Sequence, residues 1–200
     1  MKRNVVSLLS CGLLAGCATS PPPIDEPSAL PTTPNTSEQP SPAAFHFKSG
    51  TLEIGDFDPY TLGDDIFDPC TEISPEEFAA AGFDNVEPIP EEYRNLNSEI
   101  KACFFDSEIK NYVMSLSSTN ANRKIVESKR KIPARFRSQS LPPLFVYGTG
   151  LPDDSDCYAQ VDTKRGGLTV SVTQPPGLGS FEESCNVAIA SLESLFENAD

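Results

Sequence analysis

Apolar residues recur at alternate positions over much of the second half of the chain, which is the spacing of half-buried β-strands. We predict strands over five runs, Ala102–Phe105, Tyr112–Ser117, Leu144–Gly148, Cys157–Thr163 and Gly167–Thr173. Lys164-Arg165-Gly166 would join the last two runs into a hairpin whose inward residues are Val161, Leu168, Val170 and Val172. A further candidate strand lies around Phe45 to Ile54.

Two segments carry helix start signals instead. Ser74 precedes Pro75-Glu76-Glu77, a capping box with proline at the first helical position, and Gly82 would end this helix after about two turns. Ser180 precedes Phe181-Glu182-Glu183, a second capping box. The helix that it begins places apolar residues at helical spacing, namely Cys185, Ile189, Leu192, Leu195 and Phe196.

These elements predict an α+β fold with a mostly antiparallel sheet and two helices packed on one side. Residues 45–200 are enough for one domain with a single core, and no internal repeat is evident.

The first residues have the pattern of a secretory signal peptide. Lys2 and Arg3 form a positive start, and the apolar run from Val5 to Leu14 is too short to span a bilayer as a mature helix. We expect residues 1–16 to be removed.

Leu14-Ala15-Gly16-Cys17 resembles the lipobox of bacterial lipoproteins, in which the cysteine is alkylated with diacylglycerol before cleavage in front of it. The alternative is an ordinary secretory cleavage site. Two acyl chains on Cys17 would anchor the protein stably in a lipid bilayer. The resemblance implies a lipid-anchored protein on the extracytoplasmic face of the cell membrane.

Residues 17–44 would then be the lipidated cysteine and a tether. This stretch has eight prolines, many serines and threonines and few large apolar residues, so it cannot bury enough surface to fold. A stiff linker is the favoured interpretation, and O-glycosylation is compatible with the same composition.

The formal net charge is -14, and it becomes more negative when Lys2 and Arg3 leave with the signal peptide. Nucleic acid is not an expected partner, because its phosphates attract a basic face.

Four cysteines remain in the domain, Cys70, Cys103, Cys157 and Cys185, which predicts two disulfides in an exported protein. From the predicted elements, we favour Cys103 with Cys157 and Cys70 with Cys185, although three connectivities are open. Their wide spacing argues against a zinc site, and we expect no cofactor or metal.

Four short motifs accompany the cysteines: Phe67-Asp68-Pro69-Cys70 before the Glu76-Glu77 helix, Cys103-Phe104, Gly148-Thr149-Gly150 and Glu183-Ser184-Cys185-Asn186. Together they resemble the actinobacterial lipoproteins classified as domain of unknown function 3558, over roughly residues 64–198. It implies an envelope lipoprotein with a disulfide-bonded α+β fold and implies no known reaction. Members often have a tryptophan shortly after the second cysteine, whereas this chain has Phe104 and Phe105 and no tryptophan.

Candidate catalytic groups are few. The single histidine, His46, lies at the end of the tether, where a boundary position is favoured over a catalytic one. Carboxylates cluster at Asp56, Asp58, Asp64, Asp65 and Asp68 and again at Asp153, Asp154 and Asp156. Such oxygens can hold Ca²⁺ or flank a glycosidic bond, but solvated acidic loops are the favoured interpretation. We therefore do not expect an enzyme.

One segment reverses the acidic trend. It contains seven basic residues, Arg123, Lys124, Lys129, Arg130, Lys131, Arg135 and Arg137, and one acid, Glu127. With its interleaved apolar residues it is a candidate contact for an anionic surface, and the alternative is a solvated loop or polar helix face.

The sequence therefore favours a non-catalytic binding or scaffolding module of the cell envelope, whose partner is an envelope protein or a wall polymer. The alternative is a carrier or sensor that encloses a lipid or small ligand in an apolar cavity. A hydrolase that uses paired carboxylates is the third interpretation.

Overall fold

The computed structural model describes residues 43–90, 100–106, 112–151, 155–175 and 177–199. The predicted signal peptide, the lipidation of Cys17 and nearly all of the tether lie outside these residues. Within the described residues, no helix is both long enough and apolar enough to cross a bilayer.

The centre of the domain is a six-stranded antiparallel sheet in the order β3-β4-β5-β8-β7-β6. Its strands are β3 (Asp84–Pro88), β4 (Ile100–Asp106), β5 (Val113–Thr119), β6 (Phe145–Tyr147), β7 (Cys157–Thr163) and β8 (Gly166–Thr173). A separate hairpin consists of β1 (Ala44–Phe47) and β2 (Gly50–Glu53). The five predicted strands are confirmed, the candidate near Phe45 is this hairpin, and β3 was not predicted.

The β7–β8 hairpin turns as the sequence predicts. Thr163 pairs with Gly166 across a turn of two residues, Lys164 and Arg165. Gly166 has φ +112°, which favours glycine, and the Thr163 hydroxyl donates to the Gly166 carbonyl at 2.7 Å. The turn therefore fixes the register in which Val161 lies opposite Leu168.

The core lies on one face of this sheet. Val161, Leu168, Val170 and Val172 are completely buried, which confirms the predicted inward face. The long helix α4 (Phe181–Glu197) packs on β7 and β8 and buries Cys185, Ala188, Leu192 and Leu195. Burying each large aliphatic side chain contributes roughly 1.5–3 kcal/mol, so this layer is the main source of stability.

The chain has four α-helices among the described residues, where two were predicted. They are α1 (Pro69–Glu72), α2 (Pro75–Ala80), α3 (Arg123–Lys129) and α4. Both predicted capping boxes are formed, at Ser74 and at Ser180, and a single 3₁₀ turn covers Gly63–Asp65.

The two predicted helices, α2 and α4, contact each other and bury Phe78 and Leu192 in the same core, whereas the additional helix α3 lies at the other face of the sheet. Ala121, just before α3, accepts a hydrogen bond from Gln160, whose side chain points away from the core face that Ala159 and Val161 line. The β5–β6 connection, which contains α3, therefore lies at this second face of the sheet.

The structure also corrects the cysteine pairing. The disulfide joins Cys157 to Cys185, so neither predicted pair forms, and Cys70 and Cys103 are thiols. The reason is the strand order, because β5 and β8 lie between Cys103 on β4 and Cys157 on β7. Three strand spacings of about 4.8 Å put these two cysteines far beyond disulfide reach.

Candidate functional site

The predicted basic segment begins at α3, whose start is fixed to the sheet. The Asn122 side chain caps the helix by accepting from Ile125 N–H at 3.0 Å and donates to the Phe57 carbonyl at 3.2 Å. The Gln160 amide donates to the Ala121 carbonyl at 2.8 Å. These bonds give the basic segment a defined position on the second face of the sheet.

Arg123 has a structural role in this arrangement. Its backbone N–H donates to an Asp162 carboxylate oxygen at 2.8 Å, and its guanidinium lies 4.6 Å from the centre of the Phe145 ring. It also faces Glu127 at 3.8 Å. Burial raises the pKa of Asp162, and the hydrogen bond from the Arg123 backbone N–H opposes this effect in part. Arg123 therefore helps to keep the Asp162 carboxylate ionised.

After α3 the segment is irregular, and Phe136 attaches it to the first turn of α4. The half-buried Phe136 ring meets the Phe181 ring edge-on at 6.0 Å. Arg135 lies over Phe136 at 4.6 Å and within 4.0 Å of Glu182. Arg135, like Arg123, is therefore partly engaged within the domain.

A cavity of about 370 Å³ lies between the end of α3, the residues after β6 and the start of α4. One wall carries three consecutive exposed cations, Lys129, Arg130 and Lys131. The other walls are mostly apolar and consist of Pro133, Gly148, Gly150, Leu151 and Phe181. The cavity thus combines concentrated positive charge with an aromatic and aliphatic lining.

Two glycines shape this cavity. A Cβ atom on Gly148 would lie 2.8 Å from a Phe181 ring carbon, so glycine is what lets that ring approach the strand end. Gly150 has φ +80°, and a Cβ atom there would lie 3.6 Å from Arg130 Nη1. A larger residue at Gly148 would displace the ring that lines the cavity.

The ion pairs of the described residues use only Arg123 and Arg135 from the predicted basic set. The other five basic residues are exposed to solvent, and none of them has a carboxylate of the described residues within 4.0 Å of its charged group. They are Lys124, Lys129, Arg130, Lys131 and Arg137. Arg130 also lies close enough to Tyr147 to favour its ionisation, although burial raises the pKa of that phenol well above its ordinary value. The positive field of Lys129 to Lys131 is therefore directed at the cavity and at solvent.

The predicted acidic cluster at residues 56–68 serves local structure in several places. Asp58 accepts from Tyr60 N–H at 2.9 Å, Asp68 caps α1 by accepting from Cys70 N–H, and Asp65 lies 3.4 Å from Arg165. Of the second cluster, Asp153 and Asp154 lie outside the described residues, and Asp156 is half-buried. Across the described residues, no group of three or more histidine, cysteine or acidic residues is arranged to hold a metal ion.

His46 is exposed on β1 opposite Thr51, with its Nδ1 atom 3.4 Å from the threonine hydroxyl. This is the boundary position that the sequence favours.

A second, larger groove of about 680 Å³ lies beside α4 and the ends of β4 and β5. Its lining mixes apolar and polar residues, among them Phe105, Met114, Val187, Asp84, Asp106 and Asn186. It is an open groove along the surface and differs from the enclosed apolar cavity that the carrier interpretation predicts.

Sequence reasoning located the cations of the first cavity but not its apolar walls. Gly148 and Gly150 were visible as part of a glycine-containing motif, and Phe181 as the first residue of a capped helix. Nothing in the spacing of Gly148, Gly150 and Phe181 along the chain indicates that they lie around one cavity with Arg130. Their proximity depends on how the β5–β6 connection crosses the sheet.

Three comparisons with known proteins complete this description. A family model described as "Protein of unknown function (DUF3558)" matches residues 12–198. Neither the curated proteins nor the solved structures contain a match.

Proposed function

The chain belongs to the DUF3558 family of proteins of unknown function, and we propose that it acts as a non-catalytic binding module of the cell envelope. In this proposal the domain is exported, is anchored to the extracytoplasmic face of the membrane through acylated Cys17, and holds an anionic partner on the basic segment. The partner is an acidic envelope protein or a wall polymer.

The proposed address rests on the first seventeen residues. A short basic start, a ten-residue apolar run and small residues before Cys17 are the parts of a lipoprotein signal. The intact mass of the protein extracted from its own membranes tests it. Loss of residues 1–16 and a diacylglycerol mass on Cys17 would support the anchor, and an unmodified N-terminus would contradict it.

The observation that carries the binding proposal is the cavity beside Lys129, Arg130 and Lys131. The chain is strongly acidic overall, yet these three cations are adjacent, exposed and without a described carboxylate partner. Clustered positive charge raises the local concentration of anionic groups, and the aromatic wall at Phe181 offers apolar contact to whatever carries them. Together they suit an anionic partner better than a neutral one.

A charge-matched pair of variants tests this proposal. K129Q/R130Q removes two cations that line the cavity, whereas K124Q/R137Q removes two exposed cations of the same segment that do not. We expect chemical cross-linking in intact cells to give a discrete adduct that K129Q/R130Q loses and K124Q/R137Q keeps. Equal loss in both variants would indicate non-specific charge attraction, and no adduct from the unsubstituted chain would contradict the proposal.

Purified protein and defined probes separate the sources of negative charge. Phosphatidylglycerol vesicles present a lipid surface, and a soluble glycerol-phosphate polymer presents the same phosphate chemistry without a bilayer. The proposal expects the polymer or an acidic protein to bind. Binding to vesicles alone would make the segment a second membrane contact rather than a partner site.

We also infer that the exported domain holds two disulfides, the second in addition to Cys157–Cys185.

A carrier or sensor function is the second candidate. A carrier of this kind would hold its ligand in the open groove of about 680 Å³ beside α4, where Phe105, Met114 and Val187 are the apolar part of the lining, rather than in the enclosed cavity that the sequence predicts. Native mass spectrometry of the membrane-extracted protein tests it, since a small molecule that is retained would favour the carrier and a bare protein would not.

A further inference from the structure

Two thiols remain beside the disulfide, and they lie in contact. Cys103 is in the middle of β4, the second strand from the edge of the sheet, and is fully buried, whereas Cys70 is in α1 and is half-buried. Helix α1 packs directly against β4, and Cys70 packs against the core cluster that contains Cys103, with the two thiols close enough to affect each other's ionisation. Residues 33 positions apart in the chain thus become neighbours on the core face of the sheet.

The local structure holds α1 in place for this contact. The Asp68 carboxylate accepts from Cys70 N–H at 3.1 Å, and Pro69 occupies the first position of the helix. At the other end of α1, Glu72 accepts two hydrogen bonds from Arg165, at 2.6 and 2.9 Å. Cys70 is therefore presented to β4 by a segment that is fixed on both sides.

The buried Cys103 thiol has little else to bond. Its contact with the Leu116 carbonyl, a distance of 3.8 Å, is long even for sulfur, and that carbonyl belongs to the β5 strand of the sheet. Oxidation would therefore remove a weakly bonded buried donor.

We propose that Cys70 and Cys103 form a second disulfide, and that this bridge is the one that exchanges with external thiols and disulfides. The proposal goes beyond the binding function and does not depend on it.

The exchange reaction requires an oxidised disulfide compound as co-reactant. The Cys70 thiolate attacks one sulfur of that compound, forms a mixed disulfide and releases one thiolate. The Cys103 thiolate then attacks the Cys70 sulfur and displaces the second thiolate. Two protein thiols become one disulfide, and two electrons and two protons pass to the co-reactant, which becomes two thiols.

The two cysteines are unequal in this reaction. Its hydrogen-bonded contact with Cys70, together with burial, raises the pKa of the Cys103 thiol, so Cys103 is a poor first nucleophile. Cys70 lines a cavity of about 250 Å³ together with Ile73, Phe78, Phe83 and Val86, and a small thiol or disulfide reaches it from there. Exchange therefore starts at Cys70.

The disulfide between Cys157 and Cys185 has no such access, because both residues are completely buried. An attacking thiolate must reach a sulfur atom in line with the bond, so burial of both sulfurs slows reduction. The two bridges should consequently open in a fixed order.

The sequence makes the test direct, because trypsin puts each cysteine of the domain on a different peptide. These peptides are residues 49–94, 102–110, 138–164 and 166–200. The full chain carrying C11S and C17S is refolded with reduced and oxidised glutathione, denatured without reductant and alkylated with iodoacetamide. We expect no adduct on the domain cysteines and a joined peptide that contains residues 49–94 and 102–110.

A second measurement tests the order of reduction. The folded, oxidised chain is treated with limiting phosphine reductant and alkylated, and we expect adducts on peptides 49–94 and 102–110 before any on the other two. In the C157S/C185S variant, the joined 49–94 and 102–110 peptide should persist.

Two results would overturn the proposal. One is an oxidised, unreduced chain that takes up adducts on Cys70 and Cys103 while Cys157 and Cys185 stay joined. The other is a fully oxidised chain in which Cys157 and Cys185 are labelled first on limited reduction. Both measurements use the full chain without its lipid, so they are independent of the proposed anchor and partner.

Discussion

Arg165 and Glu72 form a two-point ion pair that joins the β7–β8 turn to helix α1. The guanidinium donates from Nη1 to Oε2 at 2.6 Å and from Nη2 to Oε1 at 2.9 Å. Arg165 also packs over the Phe67 ring and donates to the Asp65 carbonyl, so the pair fixes the residues that precede Cys70. Bidentate geometry of this kind is stronger and more specific than a single contact.

The first prediction concerns the pH dependence of this pair. Burial alone would raise the pKa of Glu72, but hydrogen bonds from Arg165 and from Asp68 N–H outweigh it and hold that pKa below its ordinary value of 4.5. A carboxylate whose pKa is lower in the folded state stabilises the fold at pH values above its unfolded-state pKa. This stabilisation is lost as the pH falls through the folded-state pKa. Replacing Glu72 with Gln should therefore lower the free energy of unfolding by about 1 kcal/mol at pH 7, and the deficit should shrink as the pH falls below 4.5 and vanish below the folded-state pKa of Glu72.

Urea unfolding of the two proteins from pH 7 to pH 3 measures this difference. Glu127→Gln is the control, because its pair with Arg123 is exposed and 3.8 Å long, and it should cost less than about 0.5 kcal/mol. A deficit in Glu72→Gln that stays constant with pH would show that the charge is not its cause.

The second prediction concerns Gln160, a fully buried amide on the second face of the sheet. Its Nε2 donates to the Ala121 carbonyl and to Asp162, and its Oε1 accepts from the Tyr147 and Thr169 hydroxyls. Gln160→Met keeps the length and removes all four bonds, so we expect a loss of about 2–4 kcal/mol in urea unfolding. Tyr147→Phe removes only the hydrogen bond from Tyr147 to Gln160 and should lower the free energy of unfolding by about 0.5–1.5 kcal/mol. Similar losses in the Gln160→Met and Tyr147→Phe variants would argue against a shared network.

These residues show which features of the fold the sequence reveals. Val161, Leu168, Val170 and Val172 were predictable because alternation along a strand reports directly which side is buried. Ser74 and Ser180 were predictable because a capping box is a local signal. Strand β3 was missed because most of its residues are exposed and it begins at Asp84-Asn85, so it has no apolar alternation.

The candidate site was less predictable because it depends on strand order. The cations were visible as a run of charge, but Phe181 is about fifty residues from Arg130 along the chain and meets the cavity only through the fold. The wrong cysteine pairing has the same origin. Nothing local indicates that β5 and β8 separate β4 from β7, and that separation decides which cysteines meet.

The third prediction concerns the Cys157–Cys185 disulfide, which ties β7 to α4 across 28 residues. Replacing both cysteines with alanine should lower the free energy of unfolding by about 3–4 kcal/mol in the chain-entropy account. The loss should appear as a lower melting temperature by roughly 6–16 °C for a domain of this size. An unchanged melting temperature in the oxidised protein would mean that the bridge adds nothing to the packing of α4.

The fourth prediction concerns Gly148 and the shape of the basic cavity. In Gly148→Ala the new Cβ atom would lie 2.8 Å from the Phe181 ring and 3.3 Å from the Asp156 carbonyl, so the ring must move into the cavity or away from Phe136. We expect a cost of about 1–3 kcal/mol in urea unfolding, together with weaker binding of the glycerol-phosphate polymer. Gly55→Ala is the matched control, because its new Cβ atom meets only the mobile end of Lys164 at 3.0 Å. If Gly148→Ala loses stability but binds the polymer as well as the control does, the cations act without the apolar wall, and the binding surface is then the exposed face of Lys129 to Lys131 rather than the cavity.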